Sequence, residues 1–315
     1  MHPALIVLIS VIGAIILFLI VPIFLISSII YVKLLVRTSK TKWSRSVSWD
    51  DKEQQEMFDI GEEWGNKYEQ YRTRVSIKSN GFNLVGEYFD FGSDKVAIII
   101  PGRMEAGTYS YYFSEPYRKN GYNILTIDNR SHGLSDGKYN CVGLKEYKDI
   151  LNWIEFAHNN LKNKKVVIHG ICIGSATALY ALTDKACPSY VEGMVADGMY
   201  INFAENFKNH LIERNKPVFP FTPIVMGMIQ IVAKKNPYKF SPINKIGDLN
   251  KPILFIYSKE DIYCIPKYGQ LLFDKCKSPK MIQWFEHGAH SHVRINNTDS
   301  YDETIGSFIK EKLSN

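Results

Sequence analysis

A thiol, an imidazole and a carboxylate that meet in space can move an acyl group. The sulfur attacks, the imidazole carries the proton and the carboxylate orients the imidazole. This chain sets each group just after an apolar, strand-like run. Lys165-Val166-Val167-Ile168-His169 leads into Gly170-Ile171-Cys172-Ile173-Gly174, and the small helix formers Ser175 to Leu179 follow directly. That pattern reads as strand, sharp turn and helix, with Cys172 at the tip. The glycines at 170 and 174 lack a Cβ, so a tight elbow can pack there against neighbouring strands. Glu260 and Asp261 follow the run Pro252 to Tyr257, Asp197 closes the run Val191 to Ala196, and His287, His290 and His292 follow Met281 to Phe285. Alone, a cysteine is as readily a small buried hydrophobe as a nucleophile, and solitary carboxylates and histidines are ordinary surface groups. The order thiol, acid, imidazole, each after a strand, is the signal.

The elements that must position these groups alternate in type. Thr73 to Lys78 and Asn83 to Phe89 flank Ser79-Asn80-Gly81-Phe82, where Asn-Gly marks a hairpin turn. Lys95 to Ile100 and Tyr122 to Ile127 are continuous apolar strands. A helix is expected from about Leu144 to His158, with Leu144, Tyr147, Leu151 and Ile154 on one face. Strands alternating with helices imply βαβ crossovers and a mostly parallel sheet flanked by helices. The alternation breaks between about 199 and 245, where a helical insertion rich in apolar residues is either an extra helix pair completing the core or, as the resemblance below implies, a lid; Phe219, Phe221 and Met226 are its candidate substrate-binding residues.

Together these stretches resemble the α/β-hydrolase superfamily over about Thr73 to Lys312, closest to membrane-anchored bacterial lipase/esterase-like and serine aminopeptidase-like members. The elbow resembles the family's G-x-S-x-G, with cysteine in place of serine. Ser258-Lys259-Glu260-Asp261-Ile262-Tyr263-Cys264-Ile265-Pro266 resembles its G-x-x-D-x-x-V-P, with serine where glycine is usual. Phe285-Glu286-His287-Gly288-Ala289-His290 resembles the final turn, and Asp128-Asn129-Arg130-Ser131-His132-Gly133-Leu134-Ser135 resembles D-x-R-G-H-G-x-S. The resemblance implies an α/β-hydrolase fold with a Cys172–His290–Asp261 triad. It also implies an oxyanion hole from the backbone N–H groups of Ile173 and of Arg103 (or Met104); the Arg103 side chain is expected to face solvent rather than an anionic substrate. His287 and His292 are rivals for the base, and Glu260 and Asp197 for the acid. The expected chemistry is hydrolysis of an ester or thioester, or an amide, through an acyl-enzyme. No cofactor and no metal is expected. A thiol changes the chemistry, because a helix N-terminus and an imidazolium favour its reactive thiolate. The replacement of serine also motivates two other readings, a membrane-tethered pseudohydrolase that only binds and an acyltransferase.

The N-terminal segment is of another kind. Ala4 to Val32 is almost unbroken apolar sequence, long enough to cross a bilayer core. A signal peptide would carry a basic n-region, and Met1-His2-Pro3 has none. Lys33, Arg37, Lys40, Lys42 and Arg45 all follow the run, so the positive-inside rule places the body of the chain in the cytoplasm. Residues 1–37 thus read as an anchor and 38–72 as a polar juxtamembrane linker. Met57, Ile60, Trp64, Tyr68 and Tyr71 fall at helical spacing within that linker, and 73–315 read as the hydrolase domain. The expected partners are a bilayer and a small or lipid-like acyl substrate. In 315 residues with 45% hydrophobic content a sizeable core is available, and a net charge of +6 without any accompanying motif does not point to nucleic acid. Five scattered cysteines with no CxxC pair suggest neither a disulfide framework nor a zinc site, and fit a reducing compartment.

Overall fold

The computed structural model describes residues 2–46 and 49–313; the expected segment ends at Met1 and Asn315 lie outside the described residues. Eight strands form one sheet: β1 Arg72–Ser79, β2 Phe82–Phe89, β3 Lys95–Ile100, β4 Asn123–Ile127, β5 Lys165–Ile171, β6 Val191–Asp197, β7 Ile253–Ser258 and β8 Lys280–Phe285. Their order is β1-β2-β4-β3-β5-β6-β7-β8. The β1–β2 hairpin and the β2–β4 pair are antiparallel, and every later pair is parallel. Strands buried on both faces read as continuous β-branched runs rather than as alternation, which is why β3 and β5 stood out in the sequence.

Each face of the sheet has its own core. Val96, Ile98 and Ile100 of β3 join Trp153 and Leu179 on one side; Ala97 and Ile99 join Met57, Tyr301 and Phe308 on the other. The helices supplying those side chains are α2 Lys52–Lys67, α3 Tyr147–Asn159, α4 Ile173–Leu182 and, near the C-terminus, Thr298–Phe308. Helix α2 starts where Asp51 accepts from the N–H of Gln54 at 2.9 Å. Its buried seam is Met57, Gly61, Trp64 and Gly65, whereas Ile60, expected in that seam, is exposed. Helix α3 begins three residues later than expected. Leu144 remains buried in the turn ahead of it.

Pro3–Leu35 is one helix, here α1, with a mean hydropathy of 3.3 over its most apolar stretch, long and apolar enough to cross a membrane. Pro22 offers no N–H to the preceding turn, and the helix widens to a π turn over Ile16–Ile20. Leu5 to Leu25 are exposed apart from the half-buried Ile23, but Ser27, Tyr31 and Leu35 are buried against the body of the protein. The last carbonyls of a helix have no partner within it, and here cations supply one. Lys42 Nζ donates to the carbonyls of Val32, Lys33 and Val36 at 3.1, 2.7 and 2.6 Å. The basic flank is thus largely built into the domain. Arg37 donates to the carbonyls of Gly133 and Ser135, and Arg45 forms buried ion pairs with Glu87 at 2.6 Å and Asp128 at 2.9 Å. The stretch read as a polar linker is therefore packed over residues 42–45, where Trp43 stacks on His132 with ring centroids 4.5 Å apart.

Candidate active site

The elbow is set by backbone crowding. Parallel pairing puts Ile100 of β3 opposite Gly170 of β5, and Ile171 opposite Asp197 of β6. A Cβ at Gly170 would lie 2.4 Å from the carbonyl carbon of Gly174, and one at Gly174 would lie 2.3 Å from the carbonyl oxygen of Ile100. Only glycine fits at either position. Cys172 between them has φ +52° and ψ −109°, a conformation non-glycine residues adopt only when their surroundings impose it. Its N–H donates to the carbonyl of Asp197 at 2.8 Å, and α4 begins at Ile173. The half-buried Cys172 side chain faces a cavity of about 470 Å³, which His290 also lines.

His290 Nδ1 donates to Asp261 Oδ2 at 2.7 Å. That bond fixes the tautomer and leaves Nε2, which makes no hydrogen bond among the described residues, to exchange a proton. Asp261 Oδ1 accepts from the N–H groups of Tyr263 and Cys264, both at 2.8 Å. Burial alone would raise the Asp261 carboxyl, but the His290 charge and these hydrogen bonds hold it below the usual carboxylate range. Burial alone would lower the His290 imidazole, but Asp261, Cys172 and Cys264 outweigh it and raise its pKa well above the usual value. The rival residues have other partners. Glu260 clasps His287 Nδ1 and the Gly288 N–H, both at 3.0 Å. His292 pairs with Glu53 at 3.1 Å. Asp197 accepts from the Tyr301 hydroxyl at 2.6 Å, and burial pushes its carboxyl up to about 6.

Asp261, Cys264 and His290 offer ligand atoms within 4.8 Å of one another. Asp261 is hydrogen-bonded to His290, and the Cys264 thiol donates to the Gly198 carbonyl at 3.0 Å. The donor set reads as a proton-holding network.

The turn after β3 is held from both sides. Glu105 Oε2 accepts from the Gly102 N–H at 2.8 Å, and His132 Nε2 donates to the Arg103 carbonyl at 2.6 Å. Among the described residues the N–H groups of Arg103 and Ile173 have no protein acceptor. The Arg103 side chain departs from expectation. It is half-buried rather than turned to solvent, and Nη1 donates to the Leu34 carbonyl of α1 at 3.2 Å. Glu105, which no sequence signal marked, also lines the cavity; burial pushes its carboxyl up to about 7, against the pull of the Gly102 N–H.

The insertion contains α5 Phe203–Glu213 and α6 Phe221–Ala233. The three lid residues expected from sequence do not line the cavity of Cys172. Phe219 is 79% exposed, Met226 is buried in the core and Phe221 lines a neighbouring cavity. The seam of α6 turns inward (Val225, Met226, Ile229), so apolar content in this helix serves packing. The insertion lines the cavity of Cys172 through Phe203, Asn206 and His210 of α5 and through Arg214.

Comparison with known proteins reaches the same architecture. A family model described as alpha/beta hydrolase fold matches residues 96–211. The uncharacterized protein YqkD of Bacillus subtilis (strain 168) is 30% identical over 192 residues, covering 60% of this chain and 62% of that protein. The structure of an esterase of Pyrococcus furiosus superposes with a TM-score of 0.67 at 20% identity, over 87% of this chain and 99% of the esterase. An acylaminoacyl peptidase of Pyrococcus horikoshii superposes with a TM-score of 0.59 at 18% identity, over 77% of this chain and 41% of the peptidase.

Proposed function

The chain has the α/β-hydrolase fold, and from that premise we propose that it is a membrane-anchored hydrolase that cleaves an ester or thioester through Cys172, His290 and Asp261. The fold and its neighbours support hydrolysis of esters or peptides; the narrower reading is drawn from this chain's own residues. One observation carries it. Cys172, held at positive φ at the head of α4, shares a cavity with His290, whose Nδ1 is bonded to Asp261 at 2.7 Å.

In the proposed mechanism the Cys172 proton passes to His290 Nε2 and the sulfur attacks the acyl carbon. A C–S bond forms while the carbonyl π pair moves onto oxygen, where the Ile173 and Arg103 N–H groups can donate to it. The oxyanion collapses, the bond to the leaving group breaks and His290 returns the proton to that group. Water then attacks the thioester and gives its proton to Nε2. The second collapse expels the sulfur, which takes that proton, and releases the carboxylic acid. Asp261 stays ionised and keeps the imidazole in one tautomer.

Helix α1 is read as a single membrane crossing, with the catalytic domain on the cytoplasmic side. The support is its length and the position of Lys33, Arg37, Lys40, Lys42 and Arg45 after it. Full-length protein in lipid nanodiscs, assayed with aryl esters, aryl thioesters and aminoacyl arylamides, tests the reading. Ester or thioester turnover that Cys172→Ala abolishes is expected. Turnover unchanged in Cys172→Ala overturns it.

A further inference from the structure

A second cavity of about 520 Å³ adjoins the first and shares with it Arg103, Phe203, Asn206, His210 and Arg214. One wall is the anchor helix itself, through Ile26, Ile30 and Leu34. The facing wall is the insertion, through Phe207, Leu211 and Phe221. Its size is that of an ordinary ligand site, roughly 300–1,000 Å³. We propose that this cavity holds the acyl chain of a bilayer lipid ester, which reaches Cys172 sideways along α1 without leaving the membrane. The inference rests on the hydrolase reading above and names its substrate class.

Three observations support that occupant. The first is depth. The stretch of α1 from Pro3 to Leu25, exposed except at the half-buried Ile23, is about 23 residues or about 35 Å of helix, already enough for a hydrocarbon core of about 30 Å. Ile26 to Leu34 then lie at the boundary between hydrocarbon and head groups. The second is the rim, where Lys33 and Lys216 stand beside the apolar walls. Lysines at that level match the phosphate layer while their stems lie along apolar surface. The third is exposed apolar surface on the segments that line the cavity. Ile29 is 55%, Ile212 54% and Phe219 79% exposed, which suits lipid contact better than water. The partition between the cavities is polar and half-buried. Arg103 and His210 sit there, where a chain must end and a carbonyl begin.

Two measurements test this in nanodiscs. In the first, Ile30→Trp fills the cavity from the anchor side, and kcat/KM is compared for long-chain and short-chain aryl esters. The long-to-short ratio should fall about tenfold or more; an unchanged ratio overturns the proposal. In the second, Cys172→Ala protein is photolysed with a diazirine-bearing phosphatidylcholine, a readout that needs no turnover. Adducts on both Ile26–Leu34 and Phe203–Phe221 are expected. Adducts confined to the stretch before Ile26 overturn the proposal. Loss of all ester turnover in the wild-type protein with adducts still in the cavity would sink the hydrolase reading and leave the lipid site standing.

Discussion

Arg103 donates from its guanidinium to the carbonyl oxygen of Leu34 at 3.2 Å, so the turn after β3 is tied to the last turn of the apolar helix. That turn carries one of the two N–H groups assigned to the oxyanion. Lys42 supplies the neighbouring carbonyls, and two cations thereby meet the negative end of the α1 dipole. The apolar helix and the turn after β3 are one mechanical unit at this point.

Lys42→Met should loosen that unit. Hydrogen bonds from a charged donor contribute about 1.5–3 kcal/mol when well buried, and this half-exposed group should fall near or below the lower end. Hydrogen exchange of the peptide covering Val32 to Arg37 should quicken by about tenfold in nanodiscs, with little change in peptides from α3. Equal exchange in both proteins would show that the Lys42 contacts do not hold the helix end.

Gly174→Ala tests the elbow. The added Cβ would stand 2.3 Å from the Ile100 carbonyl oxygen, and backbone must move to admit it. A loss of about 3 kcal/mol or more in chemical denaturation is expected, with no ester turnover. Gly227→Ala is the control, since among the described residues nothing lies within 4 Å of the new methyl.

Glu105 makes stability depend on pH with a defined sign. Its folded carboxyl is pushed up to about 7 by burial, against an ordinary value of 4.5. Between those values the unfolded chain gives up the proton and the folded chain keeps it, so stability falls as pH rises and levels off above about 7. Glu105→Gln should flatten the melting temperature over that interval. The same slope in the variant would remove Glu105 as its source.

His290 works in the other part of the range. Its pKa is raised above the usual 6.5, so its contribution is fully present below that value and is lost as pH rises through the folded pKa. Asp261→Asn removes the main attraction that raises it. The imidazole should then titrate lower by NMR, and kcat should fall by about 10³- to 10⁴-fold as the tautomer is no longer enforced. A variant that keeps both its titration and its rate would take Asp261 out of the network.

The parallel sheet was legible because strands buried on two faces leave unbroken runs such as Val96 to Ile100. The elbow was legible because crowding at Gly170 and Gly174 admits one residue type. Asp261 and His290 stood out from Glu260, Asp197, His287 and His292 through resemblance to the family's motifs, since placement after a strand is common to all of them, and the two share a hydrogen bond. What stayed hidden depends on contacts far apart in the chain. Arg103 reaches Leu34 across 69 positions, and Trp43 stacks on His132, neither of which any local pattern encodes. The insertion misled for a physical reason. A helix as apolar as α6 looks like a binding surface, yet its seam of Val225, Met226 and Ile229 packs the core; α5 lines the cavity of Cys172, and Phe221 at the start of α6 lines the adjoining one.

The central claim is that an acyl group passes through the sulfur of Cys172. Wild-type protein in nanodiscs should be mixed with an aryl ester, quenched in acid within the first turnover and digested for mass spectrometry. The account predicts an acyl mass on the peptide containing Cys172, released by neutral hydroxylamine and longer-lived in His290→Ala protein that has been acylated by a more reactive thioester. Ester turnover with Cys172 unmodified at every time point, or the acyl mass on another residue, would contradict it.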